Sequence, residues 1–149
     1  VSRVLNTLSQ VRFPLNQLEL EVTETLFMDH DSRAITRMNQ LHDHGIRIAL
    51  DDFGTGYSSL STINDLKLNT IKIDKSLIKR SDVQELTTMM IHMGHMMRLE
   101  IVAEGVETEM EMKELEEAGC DRLQGFLFSK PIPFEEVGPF IQKYYKTRF

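Results

Sequence analysis

Two hydrophobic periods alternate along the chain. Val1, Val4, Leu5, Leu8 and Val11 recur at three- and four-residue steps, which predicts an amphipathic helix over residues 1–11, ended by Pro14. Leu18, Leu20 and Val22 then alternate with Glu19, Glu21 and Thr23, the period of a strand near 18–23. Residues 31–44 return to helical spacing, with Asp31 or Ser32 as cap and Gly45 as stop. The exchange continues to the end of the chain. A strand at 46–51 ends in Asp51-Asp52, and a Gly-rich loop at 53–56 leads into a short helix from Ser58. Strands follow at 70–74, 100–104 and 121–125. Helices fall at 82–98, at 108–118 between Thr108 and Gly119, and at 134–145. One helix followed by five strand–helix units predicts a single α/β domain over 1–149. Parallel strands joined by right-handed crossovers are expected, in a TIM-type barrel or a doubly wound sheet.

Composition narrows the function classes. The chain has 149 residues, 41% of them hydrophobic, enough to bury a core without covalent staples. It holds no run of apolar residues long enough for a membrane span and no signal-peptide pattern. The lone Cys120 cannot form an internal disulfide and reads as a small buried residue, and a cytoplasmic location is expected. The charge balance, 17 − 23 = −6, makes a poor partner for duplex nucleic acid or an anionic membrane. A phosphate ligand would need metal ions or a few placed cations. The opening at Val1, inside a helical pattern, is expected to be a cut end.

The chemistry concentrates at the C-terminal ends of the strands: Glu21 and Glu24, Asp51 and Asp52, Lys72 and Asp74, Glu104 and Glu107, then Gln124. In α/β barrels and open sheets that end carries the active site. Carboxylates converging on one rim repel one another, and a hard divalent cation with oxygen ligands, Mg²⁺ or Mn²⁺, resolves the repulsion. Adjacent aspartates suit a pair of metals of the kind that promotes phosphodiester hydrolysis, with Lys72 facing a phosphate or the attacking water. Other signals have plainer readings. His92 and His95 read as ordinary helix surface, and the methionines around them as adaptable core packing, with an exposed patch where a barrel is open. The run Glu109 to Glu117 reads as a solvated helix face. Gly54 and Gly56 read as a hinge rather than a phosphate cradle.

Five ordered segments resemble the EAL family of cyclic di-GMP phosphodiesterases. They are LELEVTET at 18–25, DDFGTGYSSL at 51–60, IKIDKS at 71–76, VAEGVET at 102–108 and GCDRLQGFLFSKPIP at 119–133. The resemblance covers practically the whole chain. It implies a modified TIM barrel and hydrolysis of cyclic di-GMP to the linear dinucleotide pGpG. It implies Glu21, Asp51 and Asp52 as metal ligands, and Glu104 as ligand to a second metal and activator of water. Lys72 would orient that water and Gln124 would contact substrate. Glu24, Gly54, Thr55, Gly56 and Glu107 would support the loop and the site. The Glu-Ala-Leu triplet that names the family does not occur, nor does the Arg that follows it. The family's Asn-Leu-Ser ligand segment is also missing. The expectation is therefore an incomplete EAL domain, a partial open barrel holding roughly the last five βα units, with the first metal site lacking two ligands. A barrel of this type needs about 200 residues or more.

Three functions compete. The first is a metal-dependent phosphodiesterase, of which the isolated chain would be nearly inactive. The second is a non-catalytic module that binds cyclic di-GMP or a protein. The third, chemistry on a Lys72 Schiff base, is disfavoured because surrounding carboxylates hold a lysine pKa high. Exposed strand edges imply a homodimer or swapped assembly. The resemblance implies an upstream sensor or GGDEF domain in the parent protein.

Overall fold

The computed structural model describes residues 1–24, 32–54, 63–78 and 84–148. The elements in chain order are α1 (Ser2–Gln10), β1 (Glu19–Thr23), α2 (Ser32–Asp43), β2 (Arg47–Phe53), β3 (Thr70–Ile73), α3 (Lys75–Ile78), α4 (Gln84–Met96), β4 (Glu100–Glu104), α5 (Glu109–Glu117), β5 (Arg122–Gln124) and α6 (Phe134–Arg148). A single 3₁₀ turn, Leu15–Gln17, joins α1 to β1. The expected helix from Ser58 starts outside the described residues, as does the proposed cap Asp31. The short α3 was not expected, because four residues are too few to show a helical period.

The five strands among the described residues are all parallel and lie in chain order, β1-β2-β3-β4-β5. A doubly wound sheet would reverse its strand order at a switch point. Monotonic order is the winding of a barrel, so the barrel alternative is the one realised. No helix among the described residues is long and apolar enough to cross a membrane.

Side-chain alternation divides the sheet into two faces. Ile48, Leu50, Ile71, Ile73, Ile101 and Ala103 are fully buried on the helix-covered side. There they join Leu41 of α2, Met90 and Ile91 of α4 and Leu115 of α5 in one core. The other face carries charge. Arg47 Nε donates to Glu19 Oε2 at 2.9 Å, and Arg47 Nη2 reaches Glu100 Oε2 at 2.7 Å and Thr70 Oγ1 at 3.1 Å. The Thr70 hydroxyl donates to Glu19 Oε2 at 2.7 Å, and Arg122 Nε lies 2.6 Å from Glu100 Oε1. One belt of charge-assisted bonds thus crosses all five strands near their N-terminal ends. It ties their register together beneath the rim where the sequence concentrates its carboxylates.

The helix ends follow local chemistry. Thr108 accepts from the Glu111 N–H while Glu111 bonds back to the Thr108 N–H, a complete capping box that starts α5. The methionines divide between two environments. Met90 is buried and Met93 and Met97 pack partly against the core, but Met89 and Met96 are exposed. Cys120, two residues before β5 begins, is only half-buried.

Candidate active site

The C-terminal ends of β1 to β4 place Glu21, Asp51, Lys72 and Glu104 around one point. Lys72 Nζ lies 2.7 Å from Glu21 Oε1, 3.1 Å from Asp51 Oδ1 and 2.8 Å from Glu104 Oε1. An ammonium group has three N–H donors, and here each finds a carboxylate. The Lys72 side chain is 8% exposed, whereas Glu21, on the edge strand, is 52% exposed. Burial alone would lower the Lys72 pKa. The hydrogen bonds to Glu104, Glu21 and Asp51 outweigh burial and raise it above its ordinary 10.5. Lys72 is therefore a fixed cation, unsuited to nucleophilic amine chemistry.

Asp51 and Asp52 are neighbours in sequence, and a regular strand would point them to opposite faces. The β2–β3 register slips between Leu50 and Phe53. Leu50 faces Ile71 and Phe53 faces Ile73, so three steps on β2 match two on β3. Asp52 takes up the difference with a left-handed φ of 57°, and its N–H donates to Asp51 Oδ1 at 3.1 Å. As a result Asp51, Asp52 and Glu104 each offer an oxygen within 4.8 Å of one another. An all-oxygen, carboxylate donor set of this size fits a hard divalent cation.

Glu24 lies away from this cluster. It is 4% exposed, and its Oε1 accepts from the Gly54 N–H at 3.2 Å, tethering the turn after β2. Gly54 has φ +96°, and a Cβ there would overlap the Leu77 side chain. Only glycine meets both conditions. Thr55 and Gly56 lie outside the described residues.

A cleft of about 370 Å³ opens beside the carboxylates. Glu104, Asp52, Glu107 and Gln124 line it, which gathers sequence-identified residues from β2, β4 and β5. Glu107 and Gln124 are exposed, and the Glu107 N–H donates to Glu111 Oε2 at 2.8 Å. The cleft also holds Asp74, Lys75, Phe126 and Gly125. Of these, Asp74 was visible only as a strand-end acid, and Phe126 carried no sequence signal of its own. Burial raises the Asp74 pKa, but bonds from Ser76 and the Lys75 backbone outweigh it and hold it below 3.8. Gly125 is needed for packing, since a Cβ would collide with the Val106 backbone.

The EAL domain family model matches residues 1–131 of this sequence. The chain belongs to the EAL domain family. The signaling protein YkoW of Bacillus subtilis is 44% identical over 144 residues, which is 93% of this chain and 18% of YkoW. Across the curated relatives it matches, the chain spans less than a quarter of their length. Among solved structures, the MucR phosphodiesterase of Pseudomonas aeruginosa in complex with c-di-GMP superposes with a TM-score of 0.84 at 38% identity. That match covers 90% of this chain and 56% of the MucR chain. A manganese and cyclic di-GMP complex of Klebsiella pneumoniae BlrP1 gives a TM-score of 0.80 at 30% identity, covering 87% of this chain and 34% of that one. The five parallel strands thus correspond to a portion of an EAL domain, a partial barrel of the α/β class.

Proposed function

We propose that residues 1–149 are part of one EAL domain and carry one half of a cyclic di-GMP phosphodiesterase site. The observation that carries this reading is the convergence of Asp51, Asp52 and Glu104 within 4.8 Å beside the buried Lys72 ammonium. The similarity to MucR and BlrP1 supports cyclic di-GMP as the substrate and pGpG as the product. Asp51, Asp52, Glu21 and Glu104 would hold Mg²⁺ or Mn²⁺. When bound, such ions supply positive charge opposite the oxygens of the phosphodiester. The protein's own groups do the rest. Glu104 accepts the proton of the attacking water. Lys72, once Glu21 and Asp51 turn to a metal, has N–H groups free to orient that water and to offset the charge that builds as the new O–P bond forms and the P–O3′ bond breaks, the O3′ oxygen leaving with a proton from solvent. Gln124, on the exposed rim of the cleft, contacts the substrate. Glu24 fixes the turn at Gly54, and Glu107 supports the cleft wall.

The complete parent protein should hydrolyse cyclic di-GMP in the presence of Mg²⁺ or Mn²⁺. Asp51→Asn should lower kcat by a factor of about 100 or more and weaken the metal response, read from product formation by chromatography. An unchanged rate would remove Asp51 from the metal site. A second reading, a non-catalytic module, is favoured by Lys72, which already neutralises Glu21, Asp51 and Glu104 as a metal ion would. On that reading the complete parent protein binds cyclic di-GMP without turning it over. Calorimetry and chromatography on the parent protein, with and without Mg²⁺, separate the two, since binding without pGpG formation supports the module and hydrolysis contradicts it. A homodimer, a cytoplasmic location and an upstream sensor or GGDEF domain complete the proposal.

A further inference from the structure

The solvent side of α4 carries donor groups that the strand-end site does not use. The helix packs inward through Thr87, Met90, Ile91 and Gly94, all buried. Gly94 permits the close approach, because a Cβ there would overlap the Ile101 side chain of β4. A rotation of about 100° per residue brings Met89, His92 and Met96 onto the opposite side, within an arc of about 60°. Met89 is 67% and Met96 81% exposed, and His92 is exposed between them. The two thioethers stand one turn before and one turn after the imidazole, the spacings at which helical side chains meet.

The two histidines of this helix differ. His95 Nε2 lies 2.9 Å from Asp121 Oδ2 and is committed to the loop before β5. His92 makes no hydrogen bond or ion pair with any described residue. Its imidazole can therefore serve as a ligand without breaking a structural contact. Glu85, exposed on the same side one turn before Met89, adds a negative charge near the set.

We propose that Met89, His92 and Met96 form a binding site for a soft monovalent cation, Cu(I) or Ag(I). Two thioethers and one neutral imidazole make a soft, uncharged donor set, which favours such ions over Mg²⁺ or Mn²⁺. The strand-end cluster is its chemical opposite, with hard anionic oxygens throughout. The two sites would sort metals by ligand type on one small chain.

The test uses the full 149-residue chain with Cys120→Ser, which removes the one thiol. Ag(I) nitrate in chloride-free buffer serves as a redox-inert probe, and Cu(I) is added under anaerobic conditions. Methionine ε-methyl resonances report each site separately. The expected result is saturation at one equivalent, with shifts at Met89, Met96 and the His92 ring. Met110 is the internal control, being 70% exposed on α5, a helix with no histidine. It should not shift. Met89→Leu and Met96→Leu keep size and exposure, and each should weaken binding by about tenfold or more with unchanged circular dichroism. Shifts that include Met110 equally, failure to saturate, or an affinity unchanged in both leucine variants would overturn the proposal.

Discussion

Lys72 shows how one residue organises the site. Its ammonium bonds three carboxylates that would otherwise repel one another. Lys72→Met should destabilise the chain by about 3 kcal/mol, the low end of the range for breaking a buried ion pair, because Glu21 is half solvated. Urea unfolding measures this. Mg²⁺ should stabilise the variant more than the wild type, since a divalent cation replaces the lost counter-charge. The pH dependence has a definite sign. The folded pKa of Lys72 is raised, so its stabilisation is complete below the ordinary value of 10.5 and fades only as pH climbs through the folded value. The difference between wild type and variant should therefore stay constant from neutral pH to about 10 and shrink above it. Sequence placed Glu21, Asp51, Asp52, Lys72 and Glu104 at strand ends. It did not show that Lys72 touches three of those carboxylates, because that depends on a register formed between residues far apart in the chain. Nor did it show the left-handed Asp52, which exists because β2 carries one residue more than β3 can pair.

At the level of elements, local signals gave firm boundaries where a side chain terminates the element. Thr108 caps α5 through a full capping box, so Thr108→Ala should cost about 1 kcal/mol, read as a fall in thermal midpoint. Boundaries without such chemistry drifted. The strand expected at 46–51 extends to Phe53, because the register slip lets Phe53 rejoin the core opposite Ile73. Asp121 links three elements: its Oδ2 accepts from the Ile101 N–H at 2.7 Å and meets His95 Nε2 of α4 at 2.9 Å. Burial opposes its ionisation, but these partners prevail and hold its pKa below 3.8. A lowered folded pKa confers stability above the unfolded value and loses it as pH falls through the folded value. Asp121→Asn should thus lower the thermal midpoint at pH above 3.8, and the gap to wild type should close as the solution is acidified further.

Across the whole molecule, the charged belt Glu19–Arg47–Glu100–Arg122 ties β1, β2, β4 and β5 together near their N-terminal ends. Arg47→Met would leave Glu19 and Glu100 partly buried without their shared cation. A loss of about 1–2 kcal/mol is expected, limited by the partial exposure of all three groups, and the urea midpoint reports it. Hydrophobic period and strand-end composition determined, from sequence alone, the class of the fold, the five parallel strands and the side of the sheet that carries the chemistry. They could do so because helix and strand periods are local, and because parallel winding sends every strand's C-terminal end to one rim. The hydrophobic period left a barrel and a doubly wound sheet open and only the family resemblance favoured the barrel, whereas tertiary structure settles the choice through strand order. It alone turned Asp51 and Asp52 to the same side and closed Lys72 onto Glu21, Asp51 and Glu104. It also divided the methionines of α4 between core and solvent. Each of these depends on contacts between segments distant in sequence, and such contacts leave no period behind to read.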